Sequence, residues 1–228
     1  MLNFLIFEIS KGHTDRILQK AYEEGTLQYF ASGSSKQYIN GSPQMTDPIY
    51  ALDQKPKLYD WCSNCGTKLV EKPWIAVAVK NKIINIRGYY LKAGCCYTGC
   101  CYEEVGYYCR CCLYTWALQI SNDNKEWTDI HTIEKEGTME YCAERTYEFK
   151  KSYSAKYVRL IQKEPYPGEP ACIALNQIEL FGSATVGGSD DADDDFISYH
   201  DDDEDVSIIG HVSPNTPVSY THLTLPTM

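Results

Sequence analysis

The chain lacks an excess of positive charge and lacks any long apolar run. Its 228 residues contain 21 Lys and Arg against 31 Asp and Glu, and ten of the acids follow Ser183, where no Lys or Arg occurs. The remainder is formally neutral, which argues against nucleic-acid binding, because that function needs a basic face to neutralise phosphates. No stretch reaches the roughly 20 apolar residues of a membrane-spanning helix, and no polybasic patch is present for an anionic membrane.

Signatures of catalysis and of export are also missing. The five histidines are scattered along the chain, and the sequence shows no pattern of a nucleophile triad or of a pair of acid–base carboxylates. It also contains no Gly-rich phosphate-binding loop. We therefore expect a protein that is not an enzyme. The apolar start, Leu2–Ile9, has no basic residues before it and no small-residue cleavage site after it. Lack of a signal peptide favours a cytoplasmic location, and an extracellular one would require a truncated N-terminus.

What the sequence does contain is a series of short strand patterns. Apolar and aromatic residues are 43% and 13% of the chain, which excludes full disorder. Trp74–Val79 and Leu113–Ile120 alternate with a period of two, and Ser121–Asn124 reads as the turn of a hairpin. The other predicted strands are Ile83–Lys92, Trp127–Ile133, Lys156–Gln162 and Ile178–Phe181. This pattern predicts an all-β antiparallel sandwich or barrel.

The two ends of the chain differ from this β-rich body. Residues 1–27 predict a lead-in with one short helix, capped by Thr14 or Asp15 and ended by Gly25. Ser32–Pro56 has the composition of a loop. Residues 183–228 begin with acidic runs that repel each other, so we expect a disordered acidic tail. Its last ten residues, SYTHLTLPTM, are unlike the rest and are interpreted as a cloning or sequencing scar.

Cysteine usage is unusual, with eleven cysteines between Cys62 and Cys172 and seven of them within Cys95–Cys112. An odd number cannot pair completely within one chain. Without an export signal we expect mostly reduced thiols, packed as small apolar side chains. Disulfides formed after export are a second hypothesis. A zinc site is a third, although adjacent cysteines in an extended chain point to opposite faces. Its candidate ligands are Cys62, Cys65, Cys95 and Cys100.

Several segments resemble, in the same order, those of one domain family. They are Ala31–Ser35, Tyr50–Asp53 followed by Trp61, Lys72–Val77, Trp116–Trp127, Ala155–Leu160 and Ile178–Gly182. Residues 28–182 are thus similar to the coagulation factor V/VIII type C (discoidin) domains of the galactose-binding-like superfamily. The resemblance implies a jelly-roll β-sandwich without catalytic machinery. It further implies that loops at one end contact a glycan, an anionic lipid or a protein.

The resemblance also suggests where a ligand would bind. It places the binding end at Gln37–Thr46, Lys57–Asp60 and Tyr97–Tyr107. The candidate ligand-binding residues are Tyr38, Lys57, Tyr59, Asp60, Tyr97 and Tyr102. Tyr107 and Tyr108 are expected to lead into the next strand. The side chains assigned to the core are Trp61, Trp74, Trp116 and Trp127.

Carbohydrate-binding relatives in this family often hold a structural Ca²⁺ with an Asp and a late Glu. Asp53 matches the first, but Gln54 and Gln177 depart from the pattern, which makes Asp53 a weak Ca²⁺ candidate. No cofactor is therefore expected. If the protein does bind a metal ion, the two candidates are Ca²⁺ and Zn²⁺.

The sequence thus favours a non-enzymatic recognition module that binds a glycan, a cell-surface ligand or a protein partner through loops at one end of a β-sandwich. Two alternatives stay open. One is an intracellular adaptor that binds a partner protein. The other is a zinc- or thiol-dependent protein in which the Cys-rich loop carries the activity.

Overall fold

The computed structural model describes residues 15–39, 41–57, 59–66, 72–95, 99–187 and 207–211, apart from the side chains of residues 39, 104 and 207–211. One sheet has six strands, in the spatial order β12 (Ser207–His211), β1 (Leu27–Ala31), β5 (Trp74–Val79), β10 (Tyr157–Glu164), β7 (Thr115–Ser121) and β8 (Thr128–Ile133). The other has four, in the order β4 (Trp61–Cys62), β11 (Ala174–Val186), β6 (Lys82–Ala93) and β9 (Glu144–Ala155).

A separate hairpin and three short helices complete the described structure. They are β2 (Lys36–Ile39) with β3 (Ser42–Met45), α1 (Ile17–Glu23), α2 (Ile49–Leu52) and α3 (Tyr102–Val105). Neighbouring strands in both sheets are antiparallel. The predicted jelly-roll antiparallel β-sandwich is confirmed. None of the helices in the described part of the chain is long and apolar enough to cross a membrane.

Period-two alternation correctly predicted the faces of the central strands. Ile75, Val77 and Val79 point into the core between the sheets, where Trp116 and Leu118 are fully buried. Burial of such side chains is the main favourable contribution to folding.

The opposite face of β5 forms a smaller cluster on the outer side of the sheet. Ala76 and Ala78 lie there, and half-buried Trp74 and Trp127 pack against them. The guanidinium of Arg159 lies 4.1 Å from the ring centre of Trp127 and 5.7 Å from that of Trp74. The prediction that all four tryptophans lie in the core is therefore wrong for these two, because they cover a cation on the outer surface. Trp61 and Trp116 are in the core as predicted.

Helix α1 is fixed by a side chain from a distant strand. The carboxylate of Glu179 on β11 accepts hydrogen bonds from the backbone N–H groups of Leu18 (2.8 Å) and Gln19 (3.0 Å). Burial raises the pKa of the Glu179 carboxyl, while these N–H donors oppose that shift. Of the two predicted caps, Thr14 lies outside the described residues and Asp15 forms an ion pair with Arg87 instead (2.8 Å). The lead-in helix thus packs on the sandwich.

Part of the predicted tail is ordered in strands. β11 continues beyond Gly182 to Val186, and an acid-free stretch, Ser207–His211, pairs with β1 as an edge strand. An open sheet edge offers unpaired backbone groups that such a segment can satisfy. The acidic runs and the proposed scar lie outside the described residues, so disorder there stays a prediction.

Candidate functional site

The loops that leave the core strands at one end of the sandwich are joined by four disulfides. Among the described residues, the bonded pairs are Cys62–Cys100, Cys65–Cys101, Cys95–Cys142 and Cys111–Cys172. Their Cα separations of 4.4 to 5.9 Å suit disulfide bonding. The expectation of mostly reduced thiols is therefore wrong. Burial raises the pKa of one remaining thiol, Cys112, to about 12.

Adjacent cysteines bond to different partners in this arrangement, and Cys101 turns the chain with a left-handed φ of 67°. Cys100 bonds to Cys62, and Cys101 bonds to Cys65. Cys95 bonds to Cys142, in a different loop. The four predicted zinc ligands are consequently distributed over three disulfides.

The segment 99–114, named the Cys–Tyr loop here, is closed at its base by backbone hydrogen bonds. Cys100 and Cys109 exchange two of them, at 2.9 and 3.0 Å. A Cβ atom at Gly99 would lie 2.2 Å from the Cys109 carbonyl oxygen, so only glycine fits there. Inside the loop, α3 follows Cys101 and ends at Gly106, whose φ of 79° favours glycine.

A side-chain network ties the Cys–Tyr loop to two further loops. The Arg110 guanidinium pairs with Glu140 and with Glu169 (3.1 Å), and it lies 4.7 Å from the ring centre of Tyr166. Glu169 also accepts the Cys111 N–H at 2.8 Å. Covalent and ionic contacts together hold this loop against its neighbours.

An exposed aromatic surface lies where the Cys–Tyr loop meets β2. The rings of Tyr102 and Tyr108 stack with centroids 4.5 Å apart, and Tyr38 contacts Tyr108 edge-on at 5.8 Å. Tyr102 is 42% exposed and Tyr108 is 49% exposed. We call these three residues the tyrosine patch. The pKa of Tyr108 is raised by partial desolvation and by the adjacent Tyr38 phenol.

Strand alternation on β2 sets which side chains reach this patch. Lys36 and Tyr38 share one face, and Lys36 forms an ion pair with Glu103 of α3 at 2.7 Å. Gln37 points the other way and is buried. The patch therefore carries a charged pair on its rim.

Asp60 is not part of any exposed surface, which corrects its prediction as a ligand-binding residue. It is 1% exposed, and its carboxylate accepts hydrogen bonds from Gln37 Nε2 (3.2 Å), the Cys95 N–H (3.0 Å) and Asn176 Nδ2 (2.9 Å). Because these donors come from three different segments, Asp60 joins the loops from inside.

Lys57 belongs to a second surface, on the outer side of the four-stranded sheet. Tyr59 packs against Tyr50, with ring centroids 4.6 Å apart. Lys57 lines a shallow cleft with Tyr90 and Lys92. The sequence-predicted site is thus divided. Tyr38 and Tyr102 come together against Tyr108, whereas Lys57 lines a different cleft and Tyr59 pairs with Tyr50. Tyr97 falls outside the described residues.

The surroundings of Asp53 do not fit a Ca²⁺ ion. Gln54 Nε2 donates to the carbonyl oxygens of Leu52 (3.1 Å) and Ile178 (3.0 Å), and Gln177 donates to Gln54. The Lys57 ammonium donates to the carbonyl of Asp53. Ca²⁺ requires six to eight oxygen ligands, whereas the neighbouring carbonyl and amide oxygens here accept hydrogen bonds from amide and ammonium donors.

Burial lowers the pKa of Lys57 to about 8. An unfolded chain would hold this proton up to the ordinary Lys value near 10.5. Between these two values the unfolded state binds more protons, so the Lys57 contribution to stability rises with pH. We expect wild-type stability to rise between pH 8 and about 9.5 relative to Lys57→Met, measured by urea unfolding. Parallel pH profiles for the two proteins would contradict the lowered pKa.

Sequence reasoning missed Tyr108 as a patch residue. It was expected to lead into the next strand, but the turn at Gly106 directs its ring back onto Tyr102. The sequence signal was the placement of a glycine between the two tyrosines.

The fold and this surface define a β-sandwich with an aromatic patch on covalently braced loops at one end. No protein-family model matches the chain, and no curated protein matches it.

Solved structures with a similar fold include carbohydrate-binding modules. One family 32 module of Clostridium perfringens, in complex with galactose, is 11% identical with a TM-score of 0.49, and the match covers 74% of this chain and 98% of that one. A second from the same organism, in complex with GalNAc-β-1,3-galactose, is 14% identical with a TM-score of 0.47 over 71% and 99%. A chitosan-binding module of Paenibacillus sp. IK-5 is 18% identical with a TM-score of 0.46 over 71% and 98%.

Proposed function

We propose that this protein is a non-enzymatic recognition module that binds a glycan through the tyrosine patch. The observation that carries the proposal is that three tyrosine rings from two segments share one exposed surface at the loop end. Aromatic faces offer apolar contact to the C–H faces of sugar rings, and the phenols add hydrogen-bonding groups.

The bracing of the patch supports a binding role. Tyr102 follows Cys101, which is bonded to Cys65, and Tyr108 precedes Cys109, which is hydrogen-bonded to Cys100. A surface held in place before the ligand arrives loses less conformational entropy on binding. The Lys36–Glu103 pair on the rim offers charged hydrogen-bonding groups to sugar hydroxyls.

Screening the full chain on an array of neutral and acidic glycans tests the proposal. For the strongest hit, we expect Tyr102→Ala to raise the Kd by about thirtyfold or more, the usual effect of truncating a central aromatic contact of about 2 kcal/mol. Tyr102→Phe keeps the ring and should retain most of the affinity if stacking dominates.

Tyr107→Ala is the matched control, because Tyr107 is 51% exposed in the same loop but lies outside the ring cluster. Its Kd should stay close to that of the wild type. Full affinity in Tyr102→Ala, or equal losses in the two alanine variants, would contradict the assignment. Binding to a protein partner with no glycan hit would favour the adaptor alternative.

A further inference from the structure

Two disulfides of the loop region pack against each other in van der Waals contact. The sulfur atoms of Cys101, Cys111 and Cys172 all lie within 4.8 Å of one another, and all three residues are buried. Cys101 Sγ and Cys111 Sγ are 3.6 Å apart although they belong to different disulfides. Cys65, bonded to Cys101, adds a fourth sulfur.

The gap between the two disulfides is close to the sulfur–sulfur spacing of a tetrathiolate zinc site. A tetrahedral Zn²⁺ with Zn–S bonds of about 2.3 Å places its sulfurs roughly 3.8 Å apart. The contact between the two disulfides is already close to that distance. Cys101 and Cys111 lie on either side of α3 in the Cys–Tyr loop, and Cys65 and Cys172 come from two other segments, so their backbones can surround one ion. We propose that Cys65, Cys101, Cys111 and Cys172, when reduced, bind one Zn²⁺, and that the two disulfides are the oxidised form of this site.

The interconversion balances with a dithiol as the reductant. Each disulfide accepts two electrons and two protons from one dithiol, which becomes a disulfide, so two dithiols yield four cysteine thiols. Zn²⁺ then replaces the four thiol protons, which are released to solvent. The Ser35 hydroxyl lies 3.9 Å from Cys101 Sγ and can donate a hydrogen bond to the resulting thiolate.

The proposed set differs from the one expected from the sequence. Cys62 and Cys100 belong to the same buried cysteine cluster, but they form a disulfide of their own beside the four sulfurs. Cys95 is bonded to Cys142 in another loop. Replacing Cys62 therefore provides a control from the same cluster.

The test uses the full chain, reduced anaerobically with a phosphine, incubated with Zn²⁺ and freed of unbound metal by gel filtration. Elemental analysis should find one zinc per reduced wild-type chain and none in the oxidised protein. Cys172→Ser should lose the zinc, whereas Cys62→Ser should keep it. No zinc in the reduced wild type, or loss from Cys62→Ser with retention in Cys172→Ser, would overturn the proposal.

If Cys172→Ser fails to fold, Cys172→His replaces it in the test. Because imidazole also binds zinc, this variant is expected to keep the metal while changing one ligand. Co²⁺ replaces Zn²⁺ as a spectroscopic probe here. The reduced wild type should show the intense visible bands of tetrahedral Co²⁺ with thiolate charge-transfer absorption, and Cys172→His should shift both. Identical spectra in the two proteins would overturn Cys172 as a ligand.

Discussion

Replacing Trp116 by alanine is expected to lower the free energy of unfolding by about 3–5 kcal/mol. The indole is fully buried between the sheets, on the same face of β7 as Leu118, and it meets the ring of Tyr147 edge-on at 6.4 Å. Its removal leaves a cavity at the centre of the core, in addition to the lost apolar burial. A loss of this size is a large part of the total stability of most domains. Urea unfolding followed by far-UV circular dichroism measures it.

Trp127→Ala is the control for this variant. Trp127 is half-buried and covers the Arg159 guanidinium on the outer face, so its loss removes one cation–π contact and part of a surface cluster. We expect a cost of about 1–2 kcal/mol. Equal effects of the two substitutions would mean that Trp116 does not occupy the main core. A folded Trp116→Ala that only loses ligand would make the indole a binding residue.

Replacing Asp60 by alanine is expected to cost about 2–4 kcal/mol, the second largest effect. The substitution removes the acceptor of Gln37, the Cys95 N–H and Asn176, and it leaves these donors in a buried site without a charged partner. Because the donors belong to different loops, the damage should fall on the loop end of the sandwich. Hydrogen exchange should therefore increase there first.

Asp53→Ala is the control for Asp60→Ala, because it removes another carboxylate from the same part of the chain without breaking the buried hydrogen-bond network of Asp60. Asp53 accepts the exposed Lys55 N–H at 3.1 Å, so its removal should change stability by less than about 0.5 kcal/mol. If Asp60→Ala were as stable as wild type and only bound glycan less well, Asp60 would be a ligand-binding residue. The buried network described for it would then be wrong.

The parts of the fold that the sequence predicted are those fixed by local pattern. β5 spans Trp74–Val79 as predicted, because its alternation leaves one consistent inner face. β9 was missed, since its solvent side is strongly charged and few large apolar residues, Tyr147 and Phe149 among them, mark the inner side. The β2–β3 hairpin was missed for a related reason. All four residues of β3 are exposed and include a proline, so its composition is that of a loop.

The features that the sequence did not predict depend on long-range contacts. The Glu179 cap of α1 joins residues 160 positions apart, and no local motif signals it. Disulfide connectivity likewise depends on which loops meet in space. The resemblance could not separate exposed Tyr102 from buried Asp60, because neighbouring loops decide which side chain faces solvent.

Nuclear magnetic resonance of the tyrosine rings, recorded while the strongest array glycan is titrated in, tests the binding site most directly. We expect the ring signals of Tyr38, Tyr102 and Tyr108 to shift together with one affinity, whereas those of Tyr50 and Tyr59 stay unchanged. Shifts confined to Tyr50 and Tyr59 would place recognition at that ring pair and contradict the tyrosine patch as the binding site.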